Sequence, residues 1–327
     1  MIYPKFLKNG DTVGITAPSA PIGAEKREGF ALSLSHLAQE GYGLKETASV
    51  YGEGVVSAPG EVRAREFASL LADDGVDMIF CATGGDFLID MLPYVDLAEV
   101  AKHPKWIQGY SDPTGLLFPI TTKADVATIY GCNAGGFDME TLHSSLTDNL
   151  ALLKGELPTQ HSFPLYERSK GNGSYHLTEP VEWKTPNGPV DVQGRLIGGC
   201  MECLSDLIGT PYDGAIDFAR RYAGDGVLWY FDTFALKAED VFHTLWHMKQ
   251  AGWFENACGF LFGRVLFKGS FLEMSYEEAI LRALGRDVPV VLDADIGHVA
   301  PRMTVINGAL GHLSARDGKG SLAMSLA

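Results

Sequence analysis

Three side chains in this sequence have the types that acyl transfer needs, and each stands at the end of an apolar run. Ser111 lies in Gly109-Tyr110-Ser111-Asp112-Pro113, directly after Trp106-Ile107-Gln108 and before a segment that Pro113 opens as a helix. A hydroxyl on such a strand-to-helix turn is exposed, and the following backbone N–H groups point at whatever it attacks. His298 follows the apolar residues 288–292 and the run Asp293-Ala294-Asp295-Ile296-Gly297. A serine hydroxyl is scarcely ionised at neutral pH, so a nucleophilic serine needs a neutral imidazole beside it. Asp232 closes Val227-Leu228-Trp229-Tyr230-Phe231, where a chain presents a carboxylate at the edge of a sheet. The chain order Ser, Asp, His is one in which such triads occur. Each residue also has a plainer use: Ser111 as a helix N-cap, His298 as a turn cap, Asp232 as a helix start.

Other groups say less. The spacing around Ser111 approaches a Gly-x-Ser-x-Gly elbow, with Pro113 where the second glycine belongs. Gly84-Gly85 is no dinucleotide fingerprint, but it allows close backbone approach and could aim an N–H at a developing oxyanion. Cys200-Met201-Glu202-Cys203 is a single Cys-x-x-Cys without the second pair or nearby histidines that zinc wants, and reads as two semi-buried thiols at a helix start. His243 and His247 share a helix face but bring no Glu partner pattern. No metal or cofactor is expected.

These residues must be positioned by alternating strands and helices. Residues 12–16, 77–81 and 106–108 are short apolar strands. Phe30, Leu34 and Leu37 recur at helical spacing before Gly41, and Ala64, Phe67 and Leu71 mark a second helix over 61–72. A short helix is expected over 86–92. Such alternation implies a mostly parallel sheet covered on both faces. Turn clusters at 170–174 and 186–189 suggest a crossover. The division expected is therefore 1–150 for a domain carrying the nucleophile, 151–190 for a linker, and 191–327 for a C-terminal β/α domain carrying the acid and the histidine. In that last part, strands are expected at 227–231, 259–262 and 288–292, with helices around Val241, Leu245 and Met248 and over 276–284.

Composition narrows the partners. A formal charge of −15 repels phosphate backbones, which argues against nucleic acid. No apolar stretch approaches the ~18–20 residues that cross a bilayer. Five cysteines make no disulfide framework, and the first residues have no signal-peptide layout, so a cytoplasmic setting is expected.

Seven landmarks, in order, resemble the LD-carboxypeptidase family of serine peptidases, which includes the microcin C immunity peptidases. They are Gly14-Ile15-Thr16-Ala17-Pro18-Ser19, the stretch 57–63 with Asp77 through Asp86, Leu92-Pro93-Tyr94-Val95-Asp96, Gly109 through Thr114, Gly194-Arg195-Leu196-Ile197-Gly198-Gly199, Leu207-Ile208-Gly209-Thr210-Pro211-Tyr212, and Asp295-Ile296-Gly297-His298. The resemblance implies a Rossmann-like N-terminal domain with a parallel sheet, a smaller mixed β/α C-terminal domain, and usually a homodimer. It implies Ser111 as nucleophile, His298 as base, a carboxylate orienting that base, and an oxyanion hole from the backbone N–H groups of Gly85 and Asp112.

The sequence departs from the pattern at three places. The family's orienting acid is normally Glu, whereas Asp232 is one methylene shorter, and a one-residue slip would put Phe231 there. Tyr130-Gly131-Cys132-Asn133 replaces a usual Gly-Pro, and Thr83 stands where many muropeptidases carry Arg. The expected reaction is amide hydrolysis through an acyl-enzyme on Ser111, with a murein tetrapeptide as first choice of substrate. The alternatives are an aminoacyl-nucleotide conjugate of the microcin type, or a non-catalytic ligand binder. Asp86 and Trp183 are candidate substrate contacts, the indole as a face on which a nucleobase could stack.

Overall fold

The computed structural model describes residues 1–168 and 173–327, and forms two compact units. The first holds Met1–Glu156 together with Thr304–Asn307; the second holds Tyr175–Met303, Gly308–Ala327 and the stretch that begins at Leu157. Residues 157–190, expected as a linker, thus largely belong to the second unit, where they supply short strands to its sheets. Of the turn cluster expected at 170–174, residues 170–172 lie outside the described residues.

The first unit is built on a sheet of six strands. Five are parallel: β1 (Thr12–Thr16), β2 (Gly43–Glu46), β3 (Met78–Cys81), β4 (Trp106–Gly109) and β5 (Thr128–Tyr130). The sixth, β13 (Val305–Asn307), returns late in the chain and pairs antiparallel with β5. The spatial order is β13-β5-β4-β3-β1-β2. Helices α1 (Arg27–Gln39), α2 (Gly60–Ala72), α3 (Leu97–Lys102), α4 (Thr114–Lys123) and α5 (Ser144–Leu153) cross between strands. β3 is buried at every position, as parallel strands covered on both faces are. The helix expected over 86–92 is a 3-10 stretch instead, Leu88–Tyr94, with Pro93 inside it. The order of connection reverses between β1 and β3, so the loops after these strands flank the crevice where open α/β sheets bind ligands. Buried Arg63 ties those two loops together: its Nη1 donates to the carbonyls of Pro18 (2.7 Å) and Phe87 (2.8 Å).

The second unit is built on a sheet of seven strands. It comprises β6 (Gln160–His161), β9 (Val190–Cys200), β10 (Val227–Asp232), β11 (Ala257–Gly263), β12 (Val290–Ala294), β14 (Leu310–Arg316) and β15 (Lys319–Ser325), in the order β12-β11-β10-β9-β14-β15-β6. A two-stranded ribbon, β7 (Leu165–Tyr166) with β8 (Glu179–Pro180), lies apart. The four strands from β9 to β12 are parallel, and β10 is buried throughout. β14 alternates buried and exposed residues, the pattern of an antiparallel strand with one wet face. Helices α6 (Met201–Leu207), α7 (Ala215–Arg221), α8 (Ala238–Gln250) and α9 (Tyr276–Leu284) complete the unit. Ser275 caps α9 by accepting the Glu278 N–H at 3.0 Å, so the helix starts one residue after it. No helix among the described residues is long and apolar enough to cross a membrane.

Candidate active site

The nucleophile candidate lies in the first unit, on the turn between β4 and α4. Ser111 has φ = 69°, a left-handed conformation that costs a non-glycine residue about 1–2 kcal/mol. The surroundings hold it there. Its N–H donates to the Tyr130 hydroxyl at 3.3 Å, and its carbonyl accepts the Thr114 N–H at 2.9 Å. Asn133 grips Tyr110 next door, accepting its N–H at 3.1 Å and donating to its carbonyl at 3.3 Å. The residue at the N-cap of α4 is Pro113, so Ser111 is not the helix cap that local sequence also allowed. The turn thus holds a polar residue in a left-handed conformation just before the N-terminal end of α4.

Two glycines shape the space beside that hydroxyl. A Cβ on Gly84 would lie 3.2 Å from the Ser111 Cβ and 3.3 Å from its Oγ. Gly85 has φ = 156°, and a Cβ there would fall 2.1 Å from the Ser19 Oγ. Any side chain at 85 would collide with the loop after β1. Asp112 is buried and its carboxylate serves structure: Oδ2 accepts from the Ser19 hydroxyl and from the Leu88 N–H at 2.9 Å. Asp86 is exposed on the same loop as Gly85.

The acid and base candidates meet in the second unit. Asp232 ends β10 fully buried, opposite Cys200 at the end of the parallel strand β9. His298 Nδ1 lies 2.7 Å from Asp232 Oδ2, and the His298 backbone N–H donates to Oδ1 at 3.0 Å. One carboxylate therefore holds both the ring and the main chain of the histidine. Gly297 makes this approach possible: with φ = 87°, its Cβ would sit 1.8 Å from Oδ1. The carboxylate at 232, and not Phe231, faces the histidine; successive side chains on a strand point to opposite faces, and Phe231 is buried against Phe254 and Phe262. The Phe234 ring covers His298 with centroids 5.0 Å apart.

The loop carrying His298 is anchored by a second buried acid. Asp295 accepts from the Arg264 guanidinium at 2.5 Å, the Trp183 indole N–H at 2.8 Å and the Phe163 N–H at 3.1 Å. Burial pushes its carboxyl up, while Arg264 pulls the other way. Trp183 is only 1% exposed and its ring packs against Gly320. It is a core residue, so the expectation that it offers a stacking face to a substrate is corrected. A cavity of about 540 Å³ adjoins this loop, lined by Arg168, Lys184, Arg264 and Lys268 against Glu182 and Asp293, with Val299 in its wall.

Comparison with known proteins identifies the family. The model of the LD-carboxypeptidase N-terminal domain matches residues 13–131, and that of the LD-carboxypeptidase C-terminal domain matches residues 193–313. The chain belongs to the LD-carboxypeptidase family. Relatives of this family include a Bacillus subtilis protein named "Probable murein peptide carboxypeptidase", 27% identical across 94% of this chain and 89% of its own. Another is the Escherichia coli "Microcin C7 self-immunity protein MccF", 26% identical across 91% of this chain and 89% of its own. Among solved structures, an MccF-like protein from Bacillus anthracis superposes with a TM-score of 0.86 over the full length of both chains at 19% identity, a likeness of fold.

Within this family frame, several residues that sequence reasoning passed over now have roles. Tyr130 and Asn133, read only as a departure from the family pattern, brace the elbow on either side of Ser111. Glu202, read only as a spacer between two cysteines, holds the loop after Asp232. Its Oε1 accepts the N–H groups of Phe234 (2.9 Å), Ala235 (2.9 Å) and Leu236 (3.2 Å), and its Oε2 accepts the Cys200 thiol at 3.2 Å. Three consecutive N–H groups on one carboxylate oxygen need a specific loop conformation, which no motif signals. Cys200, Asp232 and His298 also place potential ligand atoms within 4.8 Å of one another, a group that could hold a cation. His243 and His247 are exposed on α8, outside that group.

Proposed function

We propose that the protein is a serine peptidase in which Ser111 is the nucleophile, His298 its base, and Asp232 the acid that orients the base. The observation that supports this reading is the approach of the buried Asp232 carboxylate to His298, 2.7 Å from ring Nδ1 and hydrogen-bonded to the main-chain N–H. With Nδ1 against a buried carboxylate, Nδ1 keeps its proton and Nε2 presents a lone pair. Nε2 takes the Ser111 proton as the oxygen attacks the substrate carbonyl, and returns it to the leaving amine as the C–N bond breaks. Water then attacks the ester under the same base, releasing the acid and restoring Ser111. The backbone N–H groups of Gly85 and Asp112 serve the developing oxyanion in this reading, with the dipole of α4 behind them.

The substrate is a peptide with a free carboxylate beside the scissile amide, and a murein tetrapeptide cleaved at its L,D bond is the first choice. In the cavity beside Val299, Arg168, Lys184 and Arg264 are already ion-paired with Glu179, Asp293 and Asp295, and Lys268 is the cation that could meet a carboxylate. The family name and the Bacillus subtilis relative point the same way. The nearly equal identity to the microcin immunity protein favours a second reading, hydrolysis of an aminoacyl-nucleotide conjugate. That reading loses its aromatic platform with Trp183 in the core. The reading also takes the protein as a cytoplasmic homodimer. Incubation with a murein tetrapeptide and with an aminoacyl-nucleotide conjugate, followed by mass spectrometry, decides between them. Release of terminal D-alanine supports the first choice, cleavage of the conjugate alone supports the second, and cleavage of neither removes both.

A further inference from the structure

The Cys-x-x-Cys motif plays no part in the proposed chemistry, yet the fold puts it against the acid–base pair. Gly198 lets β9 run tight along β10, since a Cβ there would lie 1.8 Å from the Tyr230 carbonyl oxygen. Two residues later Cys200 stands opposite Asp232, with its sulfur inside the group formed by Asp232 and His298. Cys200 is the N-cap of α6, and Cys203 is the third residue of that helix. One helical turn keeps two such Cα atoms ~5 Å apart, inside the ~4.4–6.8 Å that a disulfide spans. Cys200 is 2% exposed, whereas Cys203 is partly open to solvent.

We propose that Cys200 and Cys203 form a reversible modification site, a disulfide made by peroxide, whose state controls the neighbouring Asp232–His298 pair. The inference rests on that pair being the catalytic acid and base. Cys203, the open thiol, attacks hydrogen peroxide: an S–O bond forms, the O–O bond breaks, and water leaves. The Cys200 sulfur then displaces the oxygen from the Cys203 sulfenic acid: an S–S bond forms, the S–O bond breaks, and a second water leaves with the remaining thiol proton. Two thiols are oxidised by two electrons and one peroxide is reduced to two waters.

Oxidation reaches the site through two contacts. It removes the thiol that Cys200 donates to Glu202, whose other oxygen fixes the loop bearing Phe234 over His298. It also draws the Cys200 sulfur toward Cys203 and away from the Asp232 carboxylate. Turnover should fall at least fivefold and recover with dithiothreitol.

The test treats the whole protein with hydrogen peroxide in the presence of a chelator. Intact and peptide mass spectrometry read the bond, while turnover and the rate of fluorophosphonate labelling read the site. The expected result is a loss of 2 Da mapped to the peptide holding Cys200 and Cys203, with turnover and labelling depressed together and restored by dithiothreitol. Cys203→Ser should keep its basal activity, form no such bond, and lose the dithiothreitol-reversible response. Absence of the Cys200–Cys203 bond overturns the proposal, and so does a bond that leaves both turnover and labelling unchanged. A reduced protein that turns over neither substrate counts against the proposed function instead; the mass shift is read in either case.

Discussion

Replacing Asp232 with asparagine isolates the orienting role, and the structure fixes how the substitute must sit. Oδ1 accepts the His298 backbone N–H at 3.0 Å, so an asparagine must present its oxygen there. Its NH2 group then faces Nδ1, 2.7 Å away in the wild type. Nδ1 becomes an acceptor, the proton moves to Nε2, and the nitrogen meant for Ser111 can no longer take a proton. The same inversion in the serine proteases costs about 10⁴ in kcat. A drop of about 10³–10⁴ is therefore expected for Asp232→Asn, which corresponds to about 4–5.5 kcal/mol of barrier, with the fold and KM little changed. Asp232→Glu restores the family's usual side chain but meets a tight loop. Since even a Cβ on Gly297 would stand 1.8 Å from Oδ1, the extra methylene must push that loop outward. Overpacking of this kind costs about 1–3 kcal/mol of fold stability, while a carboxylate still stands near the histidine, so a lower melting temperature with measurable activity is expected. Steady-state kinetics with D-alanine release as readout, beside thermal melts, checks both variants. An asparagine variant running near the wild-type rate would refute the reasoning, whatever the glutamate variant does.

Glu202→Ala strips the partner from three consecutive N–H groups and should lower stability by about 1–3 kcal/mol. Glu202→Gln, which keeps an acceptor oxygen, should recover much of it in denaturant titrations. Glu239 accepts from Ser270, Phe271 and Leu272, and the Ser270 hydroxyl leads in holding its pKa down at about 2, below the ordinary glutamate value of 4.5. A depressed carboxylate stabilises the fold above its unfolded pKa, so that contribution is lost as pH falls from about 4.5 through about 2. Melting temperature against pH should show this loss in the wild type and a smaller one in Glu239→Gln; identical profiles would contradict it. Chelators should leave turnover of the purified protein unchanged, because the chemistry proposed runs on Ser111 and His298; chelator-sensitive turnover with bound zinc at Cys200, Asp232 and His298 would overturn that.

The parts of this fold that were legible in the sequence are those where burial dictates composition. β3 is apolar end to end and β10 as far as Phe231 because both faces are covered, and they stand out as runs. α2, α8 and α9 show their buried stripes at helical spacing. The strands of residues 157–190 did not show, being two residues long with mostly half-wet faces and no period to read. β13 was equally hidden: three residues that join the first sheet after the chain has built most of the second. Within the candidate site, Asp232 could be named because it ends an apolar strand, and His298 because it follows one by four residues. Their bracing could not. Glu202 reaches three main-chain N–H groups 32 to 34 residues away, and Arg63 joins two loop carbonyls, contacts that depend on loop shape rather than on local pattern. Trp183 shows the converse error, since an indole reads the same in sequence whether it faces ligand or core. Its hydrogen bond to Asp295, 112 residues away, is what decides it.

The central claim is that Ser111 makes the covalent bond, and a fluorophosphonate reports on that bond without any choice of substrate. The protein is labelled to completion, digested, and the modified peptide is sequenced by mass spectrometry, with Ser111→Ala as the parallel sample. One adduct per chain on Ser111, loss of turnover in step with labelling, and an unlabelled, inactive but folded alanine variant are the expected results. Turnover that survives in Ser111→Ala, or an adduct placed on another residue, would contradict the account.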